Sequence, residues 1–293
     1  MITRLRARWV LGFNEDDHVL HEDACVVYDG DTIVHVGPVD ARVVDRDRDF
    51  GDALICPGFI DLNALGDIDH AVLDHWQGPD RQDALMWSLR YFERDRAEVF
   101  DLDEILIGRR YALAQLLLNG VTTALPIAAE TYRAWAETYA EFAGVAEIAA
   151  ELGIRAYLGP SYRGGVNVLA ADGSSVVAWD REAGRRSFEE AVAFARDGAR
   201  STGLIRTALV PARVETLGPE LMAATAEAAR ELDVPIRFHA AQSVGELRQM
   251  AAQYGRHSLG VLDDHRLLGP RTLIAHCWAV NGHSQVGADR KST

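Results

Sequence analysis

Two histidines close short apolar runs. His239 ends Pro235-Ile236-Arg237-Phe238-His239, and His276 ends Thr272-Leu273-Ile274-Ala275-His276. A neutral imidazole is a ligand for divalent transition metals, and an unligated one is a general base near neutral pH. Two imidazoles on successive strands can converge on one spot, although each alone also reads as a packing residue. Other polar groups stand at comparable places. Gln242 follows His239 by three residues, Asn63 follows Phe59-Ile60-Asp61-Leu62, and Thr122 and Thr123 lie in Gly120-Val121-Thr122-Thr123-Ala124. Arg163, in Arg163-Gly164-Gly165, contacts a polar substrate or marks only a turn. Asp67, Asp69 and His70 would, with His239, make a mixed site of the kind zinc or iron accepts. They read equally as loop residues, with Asp67 or Asp69 capping the next segment. His75 and Trp76 line a pocket or pack on the scaffold.

Positioning these groups requires strands that end together. From Gly58 onward, short apolar runs alternate with long stretches that carry Ala and Leu at three- and four-residue spacing. The strand candidates are Phe59–Leu62, Val121–Leu125, Ile154–Leu158, Ile205–Val210, Pro235–His239 and Thr272–His276. Helices are predicted over Asp83–Phe100, Leu102–Leu118, Tyr132–Leu152, Ser187–Arg200, Pro219–Leu232 and Val244–Tyr254. Repeated strand–helix units imply a parallel sheet covered by helices, either an open doubly wound sheet or a closed barrel. Polar groups at successive strand ends are the arrangement that builds a barrel active site. Before Gly58 the texture differs. Ala24–Tyr28 and Thr32–Val36 are β-branched runs joined by Asp29-Gly30-Asp31, a strong hairpin signal, and Ala53–Cys56 is a further short run.

Charge and composition narrow the partners. With 30 basic and 44 acidic residues the net charge is −14, the opposite of what nucleic acid or an anionic membrane recruits. A small molecule is the expected partner. Cys25, Cys56 and Cys277 lie far apart, as neither a disulfide framework nor a metal-binding pair, which points to a reducing cytoplasm. No apolar signal-peptide core follows Met1, and no apolar stretch is long enough to span a bilayer.

Four motifs occur in one order: Pro57-Gly58-Phe59-Ile60-Asp61 after a β unit, Gly120-Val121-Thr122-Thr123, Phe238-His239-Ala240-Ala241-Gln242, and Leu273-Ile274-Ala275-His276-Cys277. Together they resemble the amidohydrolase superfamily, in the branch of cytosine, guanine and S-adenosylhomocysteine deaminases and triazine hydrolases. The resemblance implies a divalent metal, zinc or iron, that activates water for attack on a ring or amide carbon. It implies a metal ligand at His239 and an assisting sixth-strand histidine at His276. The first-strand His-x-His positions fall on Asn63 and Leu65. Gln242 takes the place of the proton-shuttling glutamate, and no counterpart of the eighth-strand aspartate is present.

The expected architecture is therefore α/β: a (β/α)8 TIM-type barrel, incomplete with about six strands. A small N-terminal β-sandwich-like domain (1–57) precedes the partial barrel (58–280) and an irregular tail (281–293). The expected function is metal-dependent hydrolysis of a non-peptide carbon–nitrogen bond in a small, cyclic substrate, as in a deaminase. His276 and Gln242 are the catalytic candidates, Asn63 and Arg163 the substrate-binding ones, and His239 the metal ligand. The alternative is a truncated or non-catalytic remnant that has lost the metal centre. Exposed sheet edges in such a chain predict marginal stability or association, as in a homo-oligomer.

Overall fold

The protein's structure, a computed structural model, describes residues 1–67, 88–198 and 203–280. Two compact units divide at Phe59/Ile60. The first is a single five-stranded sheet of β1 (Ile2–Phe13), β2 (His18–Asp29), β3 (Thr32–Pro38), β4 (Arg46–Asp49) and β5 (Leu54–Ile55). β2 pairs antiparallel with β1 and with β3, and the turn into β3 is made at Gly30, whose φ of 61° glycine accepts without strain. β4 and β5 instead run parallel to β1. The sandwich-like expectation is thus corrected to one mixed sheet. The long β1 carries both alternative edges of the unit, and Val10, Cys25 and Val27 are buried on it and on its neighbour.

The second unit alternates strand and helix. Its elements are β6 (Phe59–Ala64), α1 (Leu102–Leu118), β7 (Val121–Pro126), α2 (Tyr139–Leu152), β8 (Arg155–Leu158) and β9 (Ser161–Tyr162). A hairpin of β10 (Gly165–Leu169) and β11 (Ser175–Trp179) follows, then α3 (Arg181–Gly198), β12 (Ile205–Thr207) and β13 (Val210–Pro211). α4 (Pro219–Leu232), β14 (Ile236–Ala240), α5 (Val244–Tyr254), α6 (Ser258–Asp264) and β15 (Thr272–His276) complete it. The sheet runs β6-β7-β8-β12, and beyond short breaks β9 pairs with β13. Bridges Leu209↔Ile236 and Arg213↔His239 carry it on to β14, which pairs with β15 in parallel. Strand neighbours therefore follow chain order, as in a barrel, and not the reversing order of a doubly wound sheet.

Alternation along each strand decides which side chains face the helices. On β14, Ile236, Phe238 and Ala240 join a helix-side core with Met222, Met250 and Leu262, so Arg237 and His239 must face the opposite side. On β6, Ala64 joins the helix-side core with Leu113, Phe142 and Val145, which puts Asn63 on the face that β14 gives to Arg237. Leu125, Ala208 and Val210 fill a smaller cluster, with Tyr157 and Leu273 packed against it.

Several boundaries differ from those the periodicity predicts. α2 starts at Tyr139 and not at Tyr132, because the Thr138 side chain caps it and residues 127–138 are tied into a buried ion network. The run Ile205–Val210 is broken because its backbone changes partner. Ala208 N donates to Leu158 O, and Leu209 N donates to Pro235 O. The β10–β11 hairpin and α6 have no counterpart in that reading. Of the helix expected over 83–100, the described part holds only one turn, Tyr91–Asp95. Residues 281–293 lie outside the described residues.

Among the described residues β6 and β15 stand at the two ends of the strand order, each with one neighbour, and Phe59, Ile60, Leu62 and Leu65 are exposed. Open edges and apolar surface favour pairing with a second chain. The isolated chain is accordingly expected to show concentration-dependent mass in light scattering, or a broad, low-temperature melt. A sharp melt at high temperature with monomeric mass would contradict this. No helix among the described residues is long and apolar enough to cross a membrane.

Candidate active site

The loops that follow the strands are held by charge. Arg109 on α1 is 1% exposed and donates to Glu137 and Glu141, at 2.5 and 2.6 Å, and to Gly66 O at 3.0 Å. Arg133 donates to the same Glu141 at 2.6 Å, and Asp67 lies 3.7–3.8 Å from both guanidiniums. Glu137 also accepts from the backbone N–H of Ala129 and of Ser161. One buried network thus pins the loops after the first, second and third strands. Burial pushes the Glu137 carboxyl up, whereas for Glu141 the two guanidiniums outweigh burial and hold it below the ordinary range.

Above this network lies a cleft of about 440 Å³ walled by Phe92, Tyr132, Trp135, Arg163, Asn167 and Arg213, among others. Arg163 is buried, ion-paired to Glu130 at 2.7 Å and stacked on Trp135, to whose carbonyl it also donates. Arg96 stacks on Phe92 and Trp135 and is paired with Asp180 at 2.7 Å. Both cations therefore serve mainly to hold the aromatic wall.

His239 and His276 stand on adjacent strands, their rings stacked at 5.3 Å with 29° between planes. Nδ1 of His239 lies 3.1 Å from Ala212 O, and since a carbonyl only accepts, the proton is on Nδ1 and Nε2 is left as the acceptor. Burial, and then the guanidiniums of Arg237 and Arg213, push this imidazole down to about 3, so it is neutral. Nε2 faces Nη2 of Arg237 at 3.5 Å. Arg237, 1% exposed, also donates to the amide oxygen of Asn63. His276 is exposed, and it, Cys277 and Ala241 have left-handed φ of 67°, 48° and 52°, so both strands end in strained turns. Gln242 accepts from Arg213 Nη1 at 2.8 Å and its backbone N–H donates to Glu246. The structure thus brings Asn63, His239, His276 and Gln242 to one end of the sheet, linked by Arg237 and Arg213. Arg163 stands apart in the cleft wall.

The zinc or iron that the family resemblance implies finds no ligand set here. Among the described residues no three His, Cys, Asp or Glu side chains converge. Asn63 and Leu65 stand at the first-strand positions, and the free nitrogen of His239 faces a guanidinium, which repels a metal cation. The described residues do not fit the ion, and His239 is not placed among them as one of a set of ligands. Asp69, His70, His75 and Trp76 lie outside the described residues, and Asp67 is drawn to Arg109 and Arg133.

Three residues here are not among the site groups read from the sequence: Arg213, Arg237 and Glu215. Alternation on the strand Pro235–His239 alone would have put Arg237 on the face of His239. Glu215 is 2% exposed, accepts from Asn167 Nδ2 at 2.8 Å, and leaves its other oxygen and Asn167 Oδ1 without donors. Burial, and then the charge of Glu246, push its carboxyl up. A carboxyl raised in the folded chain contributes stability below its ordinary value of 4.5 and loses it as pH rises through the shifted value. Glu215→Gln is therefore expected to raise the melting temperature at neutral pH and to give no gain below pH 4.5. Calorimetry at the two pH values checks this, and an unchanged neutral-pH midpoint would count against it.

Comparison with known proteins agrees with this architecture. The model of the "Amidohydrolase family" matches residues 54–291. A 5-methylthioadenosine/S-adenosylhomocysteine deaminase of Natronomonas pharaonis is 32% identical over 86% of this chain and 52% of its own length. A 5'-deoxyadenosine deaminase of Methanococcoides burtonii is 26% identical over 90% of this chain and 55% of its own. The chain thus spans about half the length of these curated relatives. Among solved structures, a guanine deaminase from C. acetobutylicum superposes with a TM-score of 0.71 at 17% identity, covering 99% of this chain and 66% of that one. A zinc-bound adenosine deaminase from Xanthomonas campestris gives 0.67 at 22%, covering 93% and 56%. At such identities these likenesses show the TIM-type α/β fold.

Proposed function

The chain belongs to the amidohydrolase family, and from that premise we propose that it is part of a hydrolase cleaving a carbon–nitrogen bond of a small cyclic substrate. An adenine-type nucleoside is the class to try first, because two curated relatives are named as deaminases of such compounds. The observation that carries the reading is the stacked pair His239 and His276 at the ends of adjacent strands, joined through Arg213 to an aromatic-walled cleft.

Hydrolytic deamination adds water to the ring carbon that bears the amino group and expels ammonia. The water must lose a proton and the leaving nitrogen must gain one. Nε2 of His239, with Nδ1–H committed to Ala212 O, stays a neutral acceptor beside Arg237 and is suited to orient the water by a hydrogen bond. His276, stacked on it and exposed, is placed to take the water's proton and to return it to the leaving group. Gln242 cannot exchange protons. Its oxygen is held by Arg213, which leaves its amide N–H groups to donate to a ring nitrogen. Phe92, Tyr132 and Trp135 supply faces for a planar heterocycle. Asn63, bound to Arg237, acts by holding that side chain in place. A cytoplasmic location belongs to the same reading, supported by three unpaired cysteines.

The test is incubation of the purified chain with 5-methylthioadenosine, S-adenosylhomocysteine and 5'-deoxyadenosine in turn. Ammonia and the change from an adenine to a hypoxanthine absorbance should appear together. Ammonia from none of the three, at enzyme concentrations comparable to substrate, would overturn the reading.

A further inference from the structure

Most of the buried arginines among the described residues are neutralised. Arg4 is paired with Asp40 and Asp47, Arg109 with Glu137 and Glu141, Arg133 with Glu141, and Arg163 with Glu130. Arg237 and Arg213 differ. Arg237 is as buried as Arg109, yet its partners are neutral: the amide oxygen of Asn63 and Nε2 of His239. Its Nε and Nη1 are buried with no partner at all. Arg213, whose backbone is bridged to that of His239, gives its hydrogen bond to the amide oxygen of Gln242. Among the described residues neither cation holds a carboxylate, although the chain has 44 acidic residues to draw on.

Two guanidiniums flanking one imidazole, with donors left over, are an unbalanced arrangement. Glu137 and Asp61 act on Arg237, and Glu215 on Arg213, only from beyond ion-pair distance. A buried cation without a close counter-charge is costly, and a second cation nearby adds to the cost. A divalent metal would worsen it. An oxyanion would relieve it, since planar guanidinium donors match the oxygens of a carboxylate or phosphate. Arg213 also lines the cleft, which gives such a group a route in.

We propose that this end of the barrel is an anion site, in which Arg237 and Arg213 hold a carboxylate or phosphate group of a small molecule where a metal centre would be expected. The site does not depend on the hydrolysis proposed above, and it is read by binding, not by turnover. The purified chain is titrated with sodium phosphate, and separately with sodium acetate, against sodium chloride at constant ionic strength. Melting temperature and heat of binding are followed. Phosphate or acetate should raise the midpoint saturably where chloride does not, and the stronger of the two identifies the group. Arg213→Gln, at a half-buried position, should keep the chloride midpoint and weaken the anion roughly tenfold or more. Arg237→Gln should abolish binding. Should Arg237→Gln fail to fold, Arg213→Gln alone decides. The proposal is overturned if neither anion outdoes chloride, if Arg213→Gln binds like the unaltered chain, or if the chain retains about one zinc per molecule. Loss of ammonia release with anion binding intact would remove the hydrolase reading and leave this one standing.

Discussion

Arg109→Ala is expected to destabilise the chain by several kcal/mol, enough to bring a marginal domain close to its unfolding midpoint at room temperature. The substitution removes the guanidinium that neutralises Glu137 and Glu141 and leaves their carboxylates in the interior, with Glu141 still held by Arg133. Breaking a buried pair from one side costs roughly 3–5 kcal/mol, a large share of the about 5–15 kcal/mol that holds a typical domain together. The cost is also local, because the carbonyl of Gly66 and the N–H groups of Ala129 and Ser161 are fixed through the same cluster. Urea unfolding followed by tryptophan fluorescence gives the measurement. A loss under about 1 kcal/mol would mean that the network is dispensable. Acid should act in the same direction. A carboxyl held low in the folded chain contributes stability above its ordinary 4.5, and Glu141 loses that contribution as pH falls through the lowered value. Glu141→Gln should therefore melt earlier at neutral pH and show less further loss on acidification.

The second large effect is on turnover. His276→Ala is expected to slow ammonia release by about 100- to 10,000-fold, the usual contribution of a positioned acid–base group. It should leave the melting temperature nearly unchanged, because the side chain is exposed. His239→Ala should slow the reaction less, since this imidazole orients the water without taking its proton, and should melt earlier, because Arg237 loses one of its acceptors. His276→Asn separates position from chemistry. Asn keeps a polar group there but cannot take a proton near neutral pH, so it should be as slow as alanine. Equal rates for the unaltered chain and His276→Ala would remove His276 from the mechanism.

Much of this protein could be read before any fold was known, wherever the signal is local. The alternation of apolar runs and helical stretches specifies a strand–helix architecture, because each element must bury one face and the period shows which. Asp29-Gly30-Asp31 specifies a hairpin, because a positive φ at Gly30 is a property of that residue. The histidines at the ends of Pro235–His239 and Thr272–His276 announce themselves by position on a strand. Tertiary structure alone decided what those groups face. Glu137 and Glu141 look in sequence like the solvated charges of a surface helix. They are buried because Arg109, on a different helix and 28 residues before Glu137, arrives beside both, and Arg133 folds back onto Glu141 from the loop before α2. Arg237 looks like an interruption in an apolar strand, and only the approach of Asn63, 174 residues away, shows that it reaches across the sheet to the first strand. Charge pairing acts through space between residues remote in sequence. No local pattern encodes which cation finds a carboxylate and which, like Arg237 and Arg213, is left with neutral partners.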